Sequence, residues 1–175
     1  PELTVQEMRA ACEEAHNQEC RVAAHAVAPQ AILNAIEAGV DTIEHACLAD
    51  EHCLDLMAKQ GIYLICTLFP YVAQADLAVN AGYSQDVAVP SQRLMEHYPQ
   101  VMRKALDCGV PVALGSDCGI RDLTPHGDNA AELEMVMRYT GVSPMEAIEL
   151  TTLCGARALG LEELLGSIET GKRAD

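Results

Sequence analysis

The 175-residue sequence contains few aromatic side chains: one Phe, five Tyr and no Trp. Half of its residues are nonetheless hydrophobic, so a buried core has to be built from Ala, Leu, Ile, Val and Met. Such a core is typical of helices that pack on a parallel sheet. The chain is long enough to form one, because a domain of about 150 residues buries roughly two-thirds of its unfolded surface.

Basic residues are also scarce. There are 11 Lys and Arg against 26 Asp and Glu, which gives a formal net charge of −15. This charge argues against binding to nucleic acid or to an anionic membrane surface, because both attract positively charged proteins. No segment approaches the ~20 unbroken apolar residues of a membrane span. The sequence therefore predicts neither a nucleic-acid partner nor a membrane partner.

The eight cysteines lack any Cys-x-x-Cys pair, a spacing typical of thiolate zinc sites and redox motifs. Several lie in apolar runs, where a free thiol behaves as a small hydrophobic residue. We therefore predict free, mostly buried thiols and a reducing, cytoplasmic location. Cys47 and Cys118 lie close along the chain to His45 and Asp117, and a metal-ligand role for either thiol is the lesser alternative.

Three short apolar runs each end in histidine or aspartate, residue types that commonly bind metals in proteins. The runs are 21–25, 41–45 and 111–117, and they close with His25, His45 and Asp117. Helical segments lie between them, which predicts parallel strands. In a β/α barrel the active site lies at the carboxyl ends of the strands, so residues that end different strands converge. Two imidazoles and a carboxylate at one rim predict a metal site, and a position left open to water makes such a site hydrolytic.

The joints between helices and strands repeat one pattern, in which a glycine follows a helix and precedes an apolar strand. Gly39, Gly61 and Gly109 are predicted to take the left-handed conformation that caps a helix. The predicted helices are 29–38, 50–60, 91–107, 129–140 and 143–154. Capping-box patterns mark two helix starts, at Thr4 with Glu7 and at Ser143 with Glu146. The chain is thus predicted to repeat a β/α unit.

The segment 69–90 is long for a strand-to-helix connection, which usually takes about two to six residues. It contains Phe69, Tyr71 and Tyr83, a large share of the few aromatics. On the active face of a barrel such a loop forms a substrate wall or lid. An insertion that covers helix surface is an equal alternative.

Several motifs resemble those of the amidohydrolase superfamily. Val-Ala-Ala-His-Ala, Gly-Val-Asp-Thr-Ile-Glu-His and Leu-Gly-Ser-Asp are similar to its strand 5, 6 and 8 motifs. The segments 124–130 and 166–175 are similar to the prolidase-like and imidazolonepropionase-like branch. The resemblance implies an α/β fold: a partial TIM-type (β/α)8 barrel that covers strands 5 to 8 with their helices. A complete barrel takes roughly 250 residues, so residues 1–175 are expected to be the C-terminal half of the barrel domain, truncated at both ends.

The resemblance also implies a function. It predicts a metal-dependent hydrolase that cleaves a carbon-nitrogen bond with metal-activated water, and its leading substrates are an Xaa-Pro dipeptide or a cyclic amide. The expected cofactor is one or two divalent ions, most simply zinc, with manganese as the alternative. Asp117 would ligate the first metal and accept a proton from the attacking water. His25 and His45 would ligate a second metal, or orient the substrate around a single one.

The family's remaining ligands would lie before Pro1. They are a His-x-His pair on the first strand and a strand 4 residue, which is a carboxylated lysine in binuclear members. Lys59, Lys104 and Lys172 fall on predicted helices or the tail, so none replaces that lysine. One copy of the chain is therefore expected to hold an incomplete primary metal site. We expect it to form a homo-oligomer or to pair with the missing N-terminal half, because unpaired strand edges recruit other strands.

Other polar residues are assigned to the substrate, to the fold or to the surface. Tyr71, Arg121 and His126 are predicted to contact the substrate, with Arg121 as a binder of its carboxylate. Strand alternation places Glu44 on the opposite side of its strand from His45, where we expect a structural hydrogen-bond acceptor. The histidines predicted to be solvated are 16, 52 and 97.

Two alternatives to the predicted activity stay open. A related barrel hydrolase could act on esters or lactones with the same machinery. The chain could also be a non-catalytic half-barrel fragment that needs a partner chain.

Overall fold

The computed structural model describes residues 3–76, 85–120 and 122–173. Its strands form one parallel, four-stranded sheet in the order β1-β2-β3-β4. The strands are β1 (Ala23–Ala26), β2 (Thr42–His45), β3 (Tyr63–Cys66) and β4 (Val112–Leu114). Because neighbouring strands follow each other along the chain and run parallel, helices have to connect them. The predicted β/α repeat is therefore confirmed.

The helices precede, connect and follow the strands. Before β4 they are α1 (Val5–Asn17), α2 (Pro29–Ala38), α3 (Glu51–Gln60), α4 (Leu68–Asp76), α5 (Gln85–Met95) and α6 (Tyr98–Asp107). After β4 they are α7 (Ala131–Thr140), α8 (Pro144–Thr151) and α9 (Leu153–Leu159). Among the described residues, none of these helices combines the length and apolarity needed to cross a lipid bilayer.

Helix boundaries follow local signals. Gly39 and Gly61 end α2 and α3 in the left-handed conformation, with φ of 93° and 69°. Gly109, with φ of 79°, comes one residue after the cap of α6. Both predicted capping boxes are present, at the starts of α1 and α8. These joints confirm the pattern from which the β/α repeat was predicted.

The predicted helix 91–107 is wrong as one helix. It divides between α5 and α6 near His97, because Pro99 lies in the first turn of α6, where a missing amide N–H costs nothing. The predicted helix 143–154 is also divided, between α8 and α9. Thr151 and Thr152 donate their hydroxyls to carbonyls four residues back, a contact that bends helices.

The predicted long loop 69–90 is also wrong, because α4 and the start of α5 occupy most of it. Leu68, Val72 and Ala75 are buried at helical spacing, and Pro70 lies in the first turn of α4, where proline is tolerated. Tyr83 lies outside the described residues. The described residues of this segment, 69–76 and 85–90, therefore belong to the helical layer.

The two faces of the sheet differ in polarity. Ala24, Ile43, Leu64 and Val112 align on neighbouring strands, and the last three are buried in the main core. The core is largely aliphatic, as predicted; its fully buried members from the helices include Ile32, Leu54, Met57, Met102 and Val136.

The opposite face carries polar side chains. His25 aligns with Glu44, and Glu44 aligns with Ile65. His25 is exposed, and the other two are half-buried. The incompletely covered face of the sheet is therefore where a polar site can form.

A long-range hydrogen bond ties the last helix to the start of the sheet. Arg21, two residues before β1, donates from its guanidinium to the carbonyl oxygen of Ala158 in α9 at 2.9 Å. Its guanidinium also lies close to Gly160, which caps α9. The same helix packs against β4. Helix α9 thus connects the two edge strands.

We expect Arg21→Ala to lower the free energy of unfolding by about 1 to 2 kcal/mol, because a charged donor at a helix C-terminus is lost. Urea unfolding measures this change. The control is Arg103→Ala, which breaks the exposed 3.5 Å ion pair with Asp107 within α6 and should change stability by less than about 0.5 kcal/mol. Equal effects of the two substitutions would contradict the role given to Arg21.

Candidate functional site

The structure brings the two predicted histidine ligands together. His25 is the third residue of β1, and His45 is the last residue of β2. Their ring centroids are 4.6 Å apart, and the rings meet edge to face at 67°. We call His25, His45 and Asp117 the strand-end site, because each lies at or just beyond the carboxyl end of a parallel strand.

Backbone strain accompanies two members of this site. His45 has a φ of 71° and Asp117 a φ of 45°, values that non-glycine residues adopt at a cost of about 1 to 3 kcal/mol. Strand alternation alone would turn His45 toward the helices. The left-handed conformation instead lets its ring meet that of His25 on the polar face. Strain of this kind is concentrated at functional sites in proteins.

The expected position of Glu44 needs a correction. Its in-register partner is His25, so Glu44 shares the polar face with the strand-end site instead of lying across the sheet from it. It does accept a hydrogen bond, from the Thr42 hydroxyl at 2.6 Å. Burial raises the pKa of Glu44, the Thr42 hydrogen bond lowers it, and the negative charge of Asp117 raises it further.

The electrostatic environment keeps His45 in its neutral form. Burial lowers the pKa of His45, and the neighbouring His25 lowers it further, whereas Asp117 acts in the opposite direction. Neutral imidazole is the form that binds metals. Asp117 itself is exposed. Asp117 and His25 both act on the pKa values of Glu44 and His45. These four side chains therefore share one electrostatic environment.

A buried hydroxyl orients the ring of His45. His45 Nδ1 lies 2.6 Å from Oγ1 of Thr67, the residue that follows β3. Both residues are buried. When Nδ1–H donates to the hydroxyl, Nε2 carries the lone pair that can bind a metal.

The chain leaves β3 through a segment that is fixed by side chains from two helices. We call residues 67–69 the β3 exit. The amide of Thr67 donates to the hydroxyl of Tyr98 in α6 at 2.8 Å. The amides of Leu68 and Phe69 donate to the two side-chain carboxyl oxygens of Glu132 in α7 at 2.8 and 2.7 Å. Three consecutive amides are thus satisfied by side chains far away in the sequence.

Sequence reasoning missed Thr67, Tyr98 and Glu132. One signal was available for Thr67, since it is a polar residue directly after an apolar strand, as the strand-end residues are. Glu132 carried no comparable signal, because an acidic residue in the first turn of a helix is ordinary. Only its burial in the structure, at 1% exposure, distinguishes it.

The residues predicted to contact substrate differ in how close they lie to the strand-end site. Tyr71 lies in α4. The centroid of its ring is 5.8 Å from the ring centroid of His45 and 5.5 Å from that of Tyr98. His126 is exposed, and its ring lies close to Gly119, two residues after Asp117. Arg121 lies outside the described residues. Tyr71 is thus the predicted contact that the structure places beside the site.

Residues predicted to be peripheral are so. The three histidines predicted to be solvated, 16, 52 and 97, are exposed.

All eight cysteines are free thiols, four of them buried. Burial raises the pKa of the Cys47 thiol to about 12. The thiol of Cys47 is therefore uncharged in the metal-free protein.

The donor set fits a divalent cation in part. Within the described ranges, no group of three or more His, Cys, Asp or Glu side chains is arranged to hold a metal ion. Two adjacent imidazoles, one with its Nδ1 already bonded, and a nearby carboxylate are nevertheless ligand types that zinc accepts. These residues are therefore suited to supply part of a metal site whose remaining ligands come from elsewhere.

Parallel strands joined by helices, with two histidines and an aspartate at or just beyond their carboxyl ends, define part of a β/α barrel with a polar site at its strand ends. The sequence model of the Amidohydrolase family matches residues 1–175, and the chain belongs to this family.

Individual relatives agree with this assignment. The chain is 31% identical over 176 residues to ochratoxinase of Aspergillus niger, a match that covers 99% of this chain and 35% of that protein. It is 39% identical over 77 residues to imidazolonepropionase of Geobacillus kaustophilus (strain HTA426), covering 42% of this chain and 17% of that one.

A solved structure is also similar throughout. The crystal structure of an Xaa-Pro dipeptidase with methionine bound in its active site superposes with a TM-score of 0.87 and 32% identity, covering 99% of this chain and 42% of that chain. The present chain thus spans 35% of the ochratoxinase and 42% of the dipeptidase. The predicted fold, a partial TIM-type barrel, is confirmed.

Burial raises the pKa of Glu132 to about 8, although the amides of Phe69 and Leu68 favour its charged form. The folded state therefore holds a proton that the unfolded chain, with an ordinary value of 4.5, releases earlier. Stability from this group is present at low pH, falls as the pH rises through the window between these values, and levels off above about pH 8.

We expect Glu132→Gln to remove this pH dependence. The advantage of the wild-type protein in free energy of unfolding should shrink as the pH rises from 4.5 to about 8. Urea unfolding at several pH values measures it. The control is Glu134→Gln, at an exposed position of the same helix. Parallel pH profiles for the wild type and Glu132→Gln would show that Glu132 does not titrate in this window.

Proposed function

We propose that the protein is a metal-dependent amidohydrolase that cleaves a carbon-nitrogen bond of a small amide or dipeptide, and that the strand-end site is part of its catalytic centre. The observation that carries this proposal is the 4.6 Å approach of the His25 and His45 rings, with Asp117 acting electrostatically on His45. Membership of the Amidohydrolase family supports it.

We assign His25, His45 and Asp117 as metal ligands. Zinc suits this nitrogen and oxygen donor set, manganese is the alternative, and one or two ions are compatible with it. When bound, the cation supplies Lewis-acid activation of water and of the scissile carbonyl.

The chain's own residues account for proton transfer. Asp117 is exposed at the end of its strand, within reach of solvent and of a bound substrate. We assign it the removal of a proton from the attacking water and its return to the departing nitrogen. His45, held neutral by burial, does not compete for that proton.

The substrate is proposed to be an Xaa-Pro dipeptide or a cyclic amide. Similarity to an Xaa-Pro dipeptidase over 99% of the chain favours the dipeptide, and similarity to imidazolonepropionase over 42% of the chain favours the cyclic amide. Tyr71, whose ring packs against His45, forms one wall of the substrate space. His126 and Arg121, which both follow Asp117 along the chain, remain proposed substrate contacts.

Asp117→Asn in the whole protein should lower kcat for its best amide substrate by at least about 100-fold, because the amide keeps the shape but cannot take up the proton. A panel of Xaa-Pro dipeptides, a cyclic amide and a lactone, assayed with zinc or manganese, identifies that substrate. Asp107→Asn, at an exposed end of α6, is the control. Turnover of Asp117→Asn within tenfold of the wild type would contradict the assigned role. Faster turnover of the lactone than of every amide would favour the esterase alternative.

Residues 1–175 are further proposed to be the C-terminal half of a barrel domain in a reducing compartment such as the cytoplasm. In the part of the chain that the structure describes, β1 and β4 each pair with one strand. A groove of about 540 Å³ runs beside β1, lined mainly by apolar residues that include Leu3, Met8 and Ala31. Such an edge recruits another strand, either from the rest of the barrel or from a second copy.

The purified 175-residue chain is therefore expected to self-associate, because its edge strands lack the neighbours that close a barrel. Light scattering measures the molecular mass. Ala23→Lys places a charge on the exposed edge strand β1 and should reduce association, whereas Ala11→Lys on the exposed part of α1 should leave it unchanged. A monomer at all concentrations would contradict the proposal.

A further inference from the structure

We propose that Thr67 is a positioning residue of the strand-end site: its hydroxyl holds the His45 ring in the orientation and tautomer that leave Nε2 free to bind a metal. This inference rests on the proposed function in one respect, namely that His45 is a ligand. The orientation of the ring can be tested without any metal.

The contact is short and protected from water. Thr67 Oγ1 lies 2.6 Å from His45 Nδ1, and Thr67 and His45 are only 3% and 6% exposed. Water therefore does not readily replace the hydroxyl as the partner of Nδ1. When Nδ1–H donates to this oxygen, the lone pair of the ring is on Nε2. Metal-binding histidines are commonly held in this way, through the nitrogen that does not bind the metal.

The Thr67 side chain has little freedom to turn away. Its methyl group lies beside Gly115, just after β4, where an added Cβ would be 3.6 Å from it. A β-branched side chain has few allowed rotamers. A rotation that moved the hydroxyl off His45 would also move the methyl group from this position.

The backbone under Thr67 is held equally firmly. Its own amide donates to Tyr98, and the next two amides of the β3 exit donate to Glu132. The β3 exit is thus fixed by α6 and α7. Helix α7 follows Asp117 along the chain. Through Glu132 in α7, the β3 exit is therefore hydrogen-bonded to the same part of the chain that carries the Asp117 carboxylate.

The strained conformation of His45 makes such support necessary. With φ of 71°, the residue occupies a conformation that persists only where its surroundings determine it. The neighbouring ring of Tyr71 packs against His45 edge to face but offers no hydrogen bond to it in this contact. Thr67 supplies the polar contact that selects one ring orientation.

Two substitutions separate the hydroxyl from the shape of the side chain. Thr67→Val keeps the branched shape and removes the hydroxyl, whereas Thr67→Ser keeps the hydroxyl. In the whole protein, Thr67→Val should weaken zinc binding about 10- to 100-fold, and Thr67→Ser should stay within about tenfold of the wild type. Competition with a chromophoric chelator measures the zinc Kd. Thr151→Val, which removes a partly buried hydroxyl bonded to Ala147, is the control.

A second measurement reports on the ring without metal. The ¹⁵N chemical shifts of His45 in the metal-free protein, assigned with His45→Ala, distinguish the tautomers. The wild type and Thr67→Ser should show a single tautomer with the proton on Nδ1, and Thr67→Val a mixture. If the valine variant does not fold, Thr67→Ala takes its place in both measurements.

The outcomes separate the two proposals. Unchanged ¹⁵N shifts and an unchanged zinc Kd in Thr67→Val overturn the positioning role. A change of tautomer from the wild type to Thr67→Val, together with a wild-type protein that binds no zinc, supports the positioning role and contradicts the proposed function. Loss of zinc affinity in Thr67→Val with retention in Thr67→Ser supports both.

Discussion

The geometry of the candidate site depends on how the amides of the β3 exit are satisfied. When a chain leaves a buried strand, its next N–H groups lose their partners in the sheet, and leaving them unpaired is costly. Here the Tyr98 hydroxyl and the Glu132 carboxyl group accept hydrogen bonds from three consecutive amides. This arrangement starts α4, which carries Tyr71, and it places the Thr67 hydroxyl at His45. A single set of hydrogen bonds therefore connects helices α4, α6 and α7 to the end of β2.

The same region stores strain, and the strain has a geometric purpose. A strand that simply alternated would direct His25 and His45 to opposite faces of the sheet, since they occupy neighbouring register positions. The left-handed backbone at His45 brings its ring to that of His25. Asp117, which follows the opposite edge strand β4, has the same left-handed type of backbone. The cost, about 1 to 3 kcal/mol at each residue, is offset by burial of the aliphatic core on the other face.

Much of the fold was predictable from the sequence, because its signals are local. Glycines after helices, capping boxes and short apolar runs lie within a few residues of the boundaries they mark. The meeting of His25 with His45 follows from one general property of parallel sheets, that their carboxyl ends share an edge. The missed residues act over long separations: Tyr98 is 31 residues from Thr67, and Glu132 is 64 from Leu68. No local pattern announces such contacts. The predicted position of Glu44 was wrong because strand alternation was counted from His45, whose left-handed backbone interrupts that alternation.

We propose that His25, His45 and Asp117 bind one catalytic metal centre. Anomalous X-ray diffraction from crystals of the whole protein, collected at the zinc edge after growth with zinc, tests it most directly. The account predicts an anomalous peak at a distance of about 2.0 to 2.2 Å from a ring nitrogen of a histidine in the strand-end site, with the Asp117 carboxylate ligating the same ion or one next to it. Zinc bound at full occupancy by other residues, with His25, His45 and Asp117 all outside its coordination shell, would contradict the account.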